Sequence, residues 1–297
     1  MNLDTAYIEP FIYDWVEHLQ ETMKERKQEI ISEKLDLIMP YGALTTHTMK
    51  AAMCIANYLE VEPNVKYMAI ELFDKFMNKS FWEAYNGRNN QSDEWFEVHS
   101  KRTCTHTKLY LVSCFQLACK MNSHPNSLGI TQILQLLRVI DQNYECTRDT
   151  VSSMEIEIFK KVGFKMPLYT PVYCIEVLLA ATGLGETPRT FDISMQLLDL
   201  AYMEHEKLYH HFQLYFVRKN SQMSEEEKEL ELRILKSNSL FLSAAIVLCA
   251  TLYFISSDTS IITEKIIAAH LAELANAAAN EITVMANTLF QIVQYSK

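Results

Sequence analysis

The segment "LYLVSCFQLACKMNS", residues 109–123, decides the fold. Its first eleven residues are nearly all apolar or small, so a helix built from them is apolar on almost every side. Such a helix belongs in the interior of a protein rather than at its surface. Lys120 then ends the apolar run with a full charge. The sequence therefore predicts a central helix that leaves the core at its last turn.

The composition of the whole chain also favours helices. Of 297 residues, 49% are hydrophobic and 22% are charged, which is typical of a globular protein. The chain has six glycines and seven prolines, whereas average usage would give roughly twenty glycines. Strand-rich folds need these residues at their many tight turns. We therefore predict an all-α protein, long enough for two hydrophobic cores.

The helical segments fall into two sets of five, joined by "KMPLYTP" (165–171), and each set has a very apolar third helix. An amphipathic helix precedes the first set. We predict an N-terminal helix and linker over 1–46, a first five-helix fold over 47–168 and a second over 169–297. The polar segment 86–97 predicts a long surface loop. Residues 191–217 predict one long helix, followed by a charged excursion over 218–236 that is partly helical.

Several classes of function are disfavoured. The net charge of −10 argues against direct binding of DNA. The apolar segment 239–255 is at the lower limit of length for a membrane span and is better interpreted as a buried helix. Seven scattered cysteines without a CxxC pair favour a reducing compartment.

Catalytic and metal-binding patterns are equally weak. In "HEKLYHH", His205 and His210 are five residues apart, whereas a zinc-binding helix uses four. We interpret both as surface histidines. The sequence has neither a phosphate-binding loop nor a GxSxG motif. We therefore expect no metal, no cofactor and no enzymatic activity.

Four segments together resemble the cyclin family: "MKAAM" (49–53), "YMAIELFDKFM" (67–77), "LYLVSCFQLACK" (109–120) and "SSMEIEIFKKVGFKMPLYTP" (152–171). The resemblance is strongest over about 47–171 and extends to the second half by helix order. It implies two tandem cyclin folds behind an N-terminal helix. It also implies that Lys120 and Glu155 meet at the edge of the core and face a cyclin-dependent kinase. The alternative, left open by the residues, is a salt bridge that ties two helices together without a partner.

The resemblance assigns structural and docking roles to further residues. Lys50 and Asp74 match an ion pair between the first two helices of the cyclin box, and Leu109 matches a core position. The substrate-docking groove of cell-cycle cyclins should involve Met49, Ala52 and Ala56. Because alanine cannot supply a large anchor, we expect this docking patch to be degenerate.

The segments "IELFDKFM", "LYLVSCFQLACK" and "LLDLAYMEHEKLY" are most similar to a branch of the family that promotes crossovers in meiosis. The expectation is a non-catalytic regulator in the nucleus, on meiotic chromosomes at crossover sites, with a cyclin-dependent kinase and meiotic recombination proteins as partners. One alternative is a cyclin-fold scaffold that recruits recombination or replication-clamp-loading factors without activating a kinase. Another is a nucleic-acid adaptor of the transcription-factor-B type, which the negative charge disfavours.

Overall fold

The computed structural model describes residues 5–32, 40–88, 93–122, 128–142, 144–254 and 260–295. These residues form thirteen α-helices and one 3-10 turn (Leu184–Glu186), and no strand occurs among them. The predicted all-α class is therefore confirmed. The chain folds into two units: Asp36–Leu168, called the first unit below, and Met1–Leu35 together with Tyr169–Lys297, called the second unit.

The helices, in chain order, are α1 (Thr5–Ser32), α2 (Thr46–Tyr58), α3 (Pro63–Arg88), α4 (Asp93–Met121), α5 (Ile130–Ile140), α6 (Arg148–Lys161), α7 (Pro171–Thr182), α8 (Thr190–Met203), α9 (His205–Lys219), α10 (Glu225–Ser237), α11 (Ser239–Phe254), α12 (Ser260–Ala275) and α13 (Ala279–Tyr295).

The first unit is built around α4, which contacts α3, α5 and α6. Every residue from 109 to 119 is buried, as the apolar run predicted. Local capping fixes the ends of the shorter helices. The hydroxyl of Thr45 accepts the Thr48 N–H at the start of α2, and the hydroxyl of Thr147 accepts the Thr150 N–H at the start of α6, both at 3.2 Å. These caps help to set where each helix enters the core.

The predicted surface loop over 86–97 is wrong. Helix α3 continues to Arg88 and α4 begins at Asp93, so most of this polar segment is helical, and only 89–92 lie outside the described residues. At 1.5 Å per residue, α3 and α4 are about 39 and 44 Å long. Their 26 and 29 residues compare with 11 to 14 in the other helices of this unit. Consecutive helices that pack together support polar sequence that would not form an isolated helix.

Helix α1 belongs to the second unit, where it contacts α7 and α12. The buried residues described on it recur at helical spacing and form one apolar face: Ile12, Val16, Leu19, Met23 and Ile30. The amide of Gln20 donates to the carbonyl oxygens of Glu273 (3.2 Å) and Leu274 (2.9 Å), near the end of α12. A side chain of α1 thus donates to two carbonyls in the last turn of α12.

The single long helix predicted over 191–217 is also wrong, because α8 ends at Met203 and α9 begins at His205. The ring of His205 is buried, and its Nδ1–H donates to the Tyr202 carbonyl at 2.9 Å. A side chain that takes a carbonyl of the helical ladder in this way interrupts the backbone pattern and allows the break. His205 is therefore a buried structural residue and not the surface histidine that we expected, whereas His210 is exposed.

The charged excursion predicted over 218–236 is largely the regular helix α10. Its start is a capping box. The Ser224 hydroxyl accepts the Glu227 N–H at 3.2 Å, and the Glu227 carboxylate accepts the Ser224 N–H at 2.9 Å. Two backbone donors are thereby satisfied, which stabilises the first turn of a highly charged helix.

Helix α11 is the centre of the second unit and contacts α7, α8 and α13. Residues 239–251 are all buried, so its apolar sequence is explained by packing. Within the described ranges, no single helix has the length and hydropathy needed to cross a bilayer. The segments Glu225–Ser237 and Ser239–Tyr253 reach those values only as a pair bent by 67°.

Candidate partner-binding surface

Lys120 lies in the last turn of α4, directly after the buried residues 109–119. Its position is favourable because a cation at the C-terminal end of a helix interacts well with the unpaired carbonyls there. The side chain remains 44% exposed. The charge therefore stands at the point where α4 emerges from the core, as the sequence predicted.

Glu155 lies in the middle of α6, and its Oε1 accepts a hydrogen bond from the Lys120 Nζ. The carboxylate is more covered than the ammonium group, with 21% of its side chain exposed. Residues from two helices of the first unit thus converge on one rim. Exposed ion pairs of this kind stabilise a fold by only about 0.2–1 kcal/mol, because solvent screens them. The role of the two residues in binding a kinase stays a prediction.

Exposed apolar side chains lie beside this ion pair in the sequence. Met121 follows Lys120 and is 47% exposed, and Ile156 follows Glu155 and is 55% exposed. Phe159 is one helical turn beyond Glu155, on the same side of α6. None of these residues was predicted as a site residue from the sequence. The signal was available in "MEIEIF", where Ile156 falls out of phase with the buried residues Met154 and Ile158.

The end of α6 presents a further aromatic side chain. The Gly163 N–H donates to the Lys160 carbonyl and the Phe164 N–H donates to the Phe159 carbonyl, both at 2.9 Å, which defines a Schellman motif. The rings of Phe159 and Phe164 meet edge to face with centroids 5.2 Å apart. Phe164 has a φ of +59°, which is unfavourable for a bulky residue, and is 62% exposed. We refer to Lys120, Met121, Glu155, Ile156 and Phe164 as the α4–α6 rim.

The residues assigned to the scaffold occupy clear positions. Leu109 is fully buried in α4. The carboxylate of Asp74 in α3 accepts the Tyr41 N–H at 3.0 Å and the Ala43 N–H at 2.9 Å. Asp74 therefore fixes the turn that leads into α2. Lys50 is exposed on α2, and its ion pair with Asp74 stays a prediction.

The expected docking patch on α2 is covered. Met49, Ala52 and Ala56 are all buried. Helix α2 therefore presents none of these side chains as an exposed anchor. The degenerate character of this patch in substrate docking stays a prediction.

Outside the α4–α6 rim, we looked for groups of metal-binding side chains and for reactive cysteines. Within the described ranges, no three His, Cys, Asp or Glu residues are grouped in a way that could hold a metal ion. Burial raises the pKa of Cys119 to about 11 and that of Cys249 to about 12. These thiols are therefore protonated at neutral pH and pack as small apolar groups.

The comparisons with known proteins agree with this geometry. Residues 24–167 match the family described as "Cyclin, N-terminal domain". The chain is 28% identical over 160 residues to mouse cyclin N-terminal domain-containing protein 1, a match that covers 50% of this chain and 47% of that protein. The human protein of the same name is 29% identical over 160 residues, with 48% of its length covered. The chain thus spans about half the length of the curated relatives that it matches. The all-α fold and the buried third helix are consistent with the match of residues 24–167 to the cyclin N-terminal domain family.

Proposed function

We propose that this protein is a non-catalytic regulator that binds a cyclin-dependent kinase through the α4–α6 rim and promotes crossover maturation in meiotic recombination. The observation that carries the first part is the meeting of Lys120 and Glu155 at an accessible edge of the cyclin N-terminal domain. Proteins with cyclin folds are regulatory rather than catalytic, which fits a role exerted through a partner.

The chemistry of the rim suits a polypeptide partner. The ammonium group of Lys120 has three N–H donors and Glu155 has several lone pairs, so their mutual hydrogen bond leaves capacity on both sides. A partner can therefore offer backbone carbonyls to the lysine and N–H groups to the glutamate. Met121 and Ile156 follow the two charged residues in the sequence, and Phe164 contacts Phe159 one turn beyond Glu155, so all three can add exposed apolar area to these polar contacts.

The protein would act by positioning the regulatory C-helix of the kinase. Protein kinases are active when a lysine and a glutamate of their own active site form an ion pair, and this requires the regulatory C-helix to lie inward. A rim that binds the C-helix from outside would hold it in that position. This protein would then contribute no catalytic group and would act by shifting the kinase toward its active conformation.

The meiotic part of the proposal rests on sequence likeness. The segments 70–77, 109–120 and 197–209 resemble the crossover-promoting branch of the cyclin family, and the two curated relatives are named for the same domain. We place the protein in the nucleus, on meiotic chromosomes at crossover sites, with meiotic recombination proteins as further partners. Because the net charge is −10, we expect contact with DNA to be indirect.

One observation favours a second candidate function. Lys120 is followed by Met121 and Asn122, whereas kinase-activating cyclins often carry acids after this lysine. A scaffold that recruits recombination or replication-clamp-loading factors without activating a kinase would not need those acids.

The two candidates are separated by affinity purification from germline extract, with mass spectrometry of the captured proteins. The first predicts that the wild-type chain captures a cyclin-dependent kinase and that Lys120→Ala with Glu155→Ala abolishes the capture. If the wild-type chain captures recombination or clamp-loading factors and no kinase, the scaffold function is favoured over the kinase-binding function. Circular dichroism of the variant shows that it remains folded.

A further inference from the structure

We propose that Thr187 is a phosphorylation site for a proline-directed kinase and that its phosphate interacts with the N-terminus of α8. The full sequence contains two Thr-Pro pairs, Thr170–Pro171 and Thr187–Pro188, and no Ser-Pro pair. They differ sharply in accessibility. Thr170 is fully buried, and its hydroxyl accepts the Tyr173 N–H at 3.3 Å. Thr187 is exposed.

The backbone around Thr187 fits the requirements of a kinase substrate. Thr187 itself is extended, with φ −72° and ψ 121°. Its carbonyl accepts the Thr190 N–H at 3.2 Å, and Arg189 has φ 67° and ψ 0°, so 187–190 form a type II turn. That turn normally places glycine where Arg189 stands. Thr187 is held by two backbone hydrogen bonds, since its own N–H also donates to the Leu184 carbonyl at 3.2 Å. Their loss on opening is partly offset because the positive φ of Arg189 is relieved.

Thr187 precedes the first residue of α8 by three positions, and its carbonyl accepts a hydrogen bond from the N–H of that residue, so a negative charge on Thr187 would lie near the positive end of the helix dipole. Arg189 is the N-cap of this 14-residue helix and makes no side-chain cap hydrogen bond. Thr190, the first helical residue, is 2% exposed, and its hydroxyl has no hydrogen-bond partner in the part of the chain that the structure describes. This helix end therefore has an unpaired hydroxyl group, and Arg189, the residue before it, is exposed.

A phosphate on Thr187 would meet both features. It carries a charge of about −1.5 to −2 at neutral pH and three strong acceptor oxygens. The backbone N–H groups at the start of a helix and the positive end of its dipole favour such an anion. Glu186 and Asp192 lie nearby in sequence and oppose it, so the cation of Arg189 is needed for a net attraction.

The reaction is an ordinary phosphoryl transfer from ATP bound to the kinase. The Thr187 Oγ1 forms a bond to the γ-phosphorus, the bond from that phosphorus to the bridging oxygen breaks and ADP leaves. The hydroxyl proton passes to the catalytic aspartate of the kinase. The inference does not depend on the α4–α6 rim, because any active proline-directed kinase that reaches Thr187 can modify it.

The first test uses the purified full chain, an already active proline-directed kinase and magnesium ATP, with phosphosites mapped by mass spectrometry. We expect one phosphate per chain at Thr187 and none at Thr170. Thr187→Ala should lose more than about 90% of the incorporation, and Thr187→Ser should retain it. The Lys120→Ala, Glu155→Ala variant should be modified like the wild type, which separates this inference from the proposed function. Absence of phosphate at Thr187 overturns it.

The second test addresses the interaction with α8. In the phosphorylated chain we expect the phosphorus NMR signal to titrate below the ordinary second phosphate pKa of about 6. Arg189→Gln keeps the size of the side chain and the positive φ but removes the charge, so it should raise that pKa. A phosphate that titrates at its ordinary value in both proteins would overturn the predicted contact with α8.

Discussion

Replacing both Lys120 and Glu155 by alanine should leave the protein folded while abolishing its binding to a kinase. The lysine is 44% exposed and the glutamate 21% exposed. Solvent screening limits such a pair to about 0.2–1 kcal/mol. Because the double variant also leaves no unpaired charge, its free energy of unfolding should fall by no more than about 1 kcal/mol. This is well below the loss of about 3–5 kcal/mol expected when one partner of a fully buried pair is removed.

Binding should respond much more strongly than stability. A partner that covers the rim desolvates the pair, and truncating a hydrogen-bonded charge in an interface costs about 2–5 kcal/mol. That range corresponds to a loss of affinity of about 30-fold or more. Urea denaturation gives the change in unfolding free energy, and calorimetric titration with a purified kinase gives the change in affinity.

Lys108 provides a matched control on the same helix. It is 48% exposed and forms an ion pair with Asp141, with 2.6 Å between Nζ and Oδ2. Lys108→Ala should therefore change the free energy of unfolding as little as Lys120→Ala does, without affecting kinase binding. The reasoning is refuted if Lys108→Ala weakens binding as much as Lys120→Ala, or if the double variant loses more than about 3 kcal/mol of stability.

Three further predictions concern the fold. Asp74→Ala should lower the free energy of unfolding by about 2–3 kcal/mol in urea denaturation, because two backbone N–H groups in the turn before α2 lose their charged acceptor. Asp74→Asn should cost less, and equal losses would contradict this reasoning. Glu60 has a φ of +51°, so Glu60→Gly should stabilise the protein by about 0.5–1 kcal/mol in the same assay; a lower midpoint would count against it. Burial raises the pKa of Cys249 to about 12, whereas the thiol of an unfolded chain has a pKa of about 8.5. The free energy of unfolding should therefore fall as the pH rises above about 9, by up to roughly 1.4 kcal/mol per pH unit. Cys249→Ala should remove this contribution; parallel profiles between pH 8 and 11 would show that another group is responsible.

The helical class and the buried helices were predictable because their signals are local and periodic. A run such as 109–119 is apolar on all sides, and the only stable place for it is a core. The capping box at the start of α10 was equally visible in the sequence, since Ser224 is followed three residues later by Glu227.

Other features depend on tertiary packing, which the sequence does not display. The break between α8 and α9 arises because the ring of His205 is buried and reaches the Tyr202 carbonyl. No glycine or proline marks this position. The helical state of 86–88 and 93–97 depends on α3 and α4 supporting one another across 63–121. The convergence of Lys120 and Glu155 came from family resemblance, because no periodicity relates residues 35 positions apart.

The residues of the α4–α6 rim contribute little to the stability of the free chain, and this favours a partner that binds there. The Lys120–Glu155 ion pair is exposed and contributes little to the free chain. Met121 and Ile156 leave apolar area in water, and Phe164 adopts a left-handed backbone conformation that costs a bulky residue about 1–2 kcal/mol. Polar residues at 121 and 156, with glycine at 164, would serve the isolated fold better. Coverage by another polypeptide reverses the balance, because it removes the apolar area from water and strengthens the ion pair in a less polar environment.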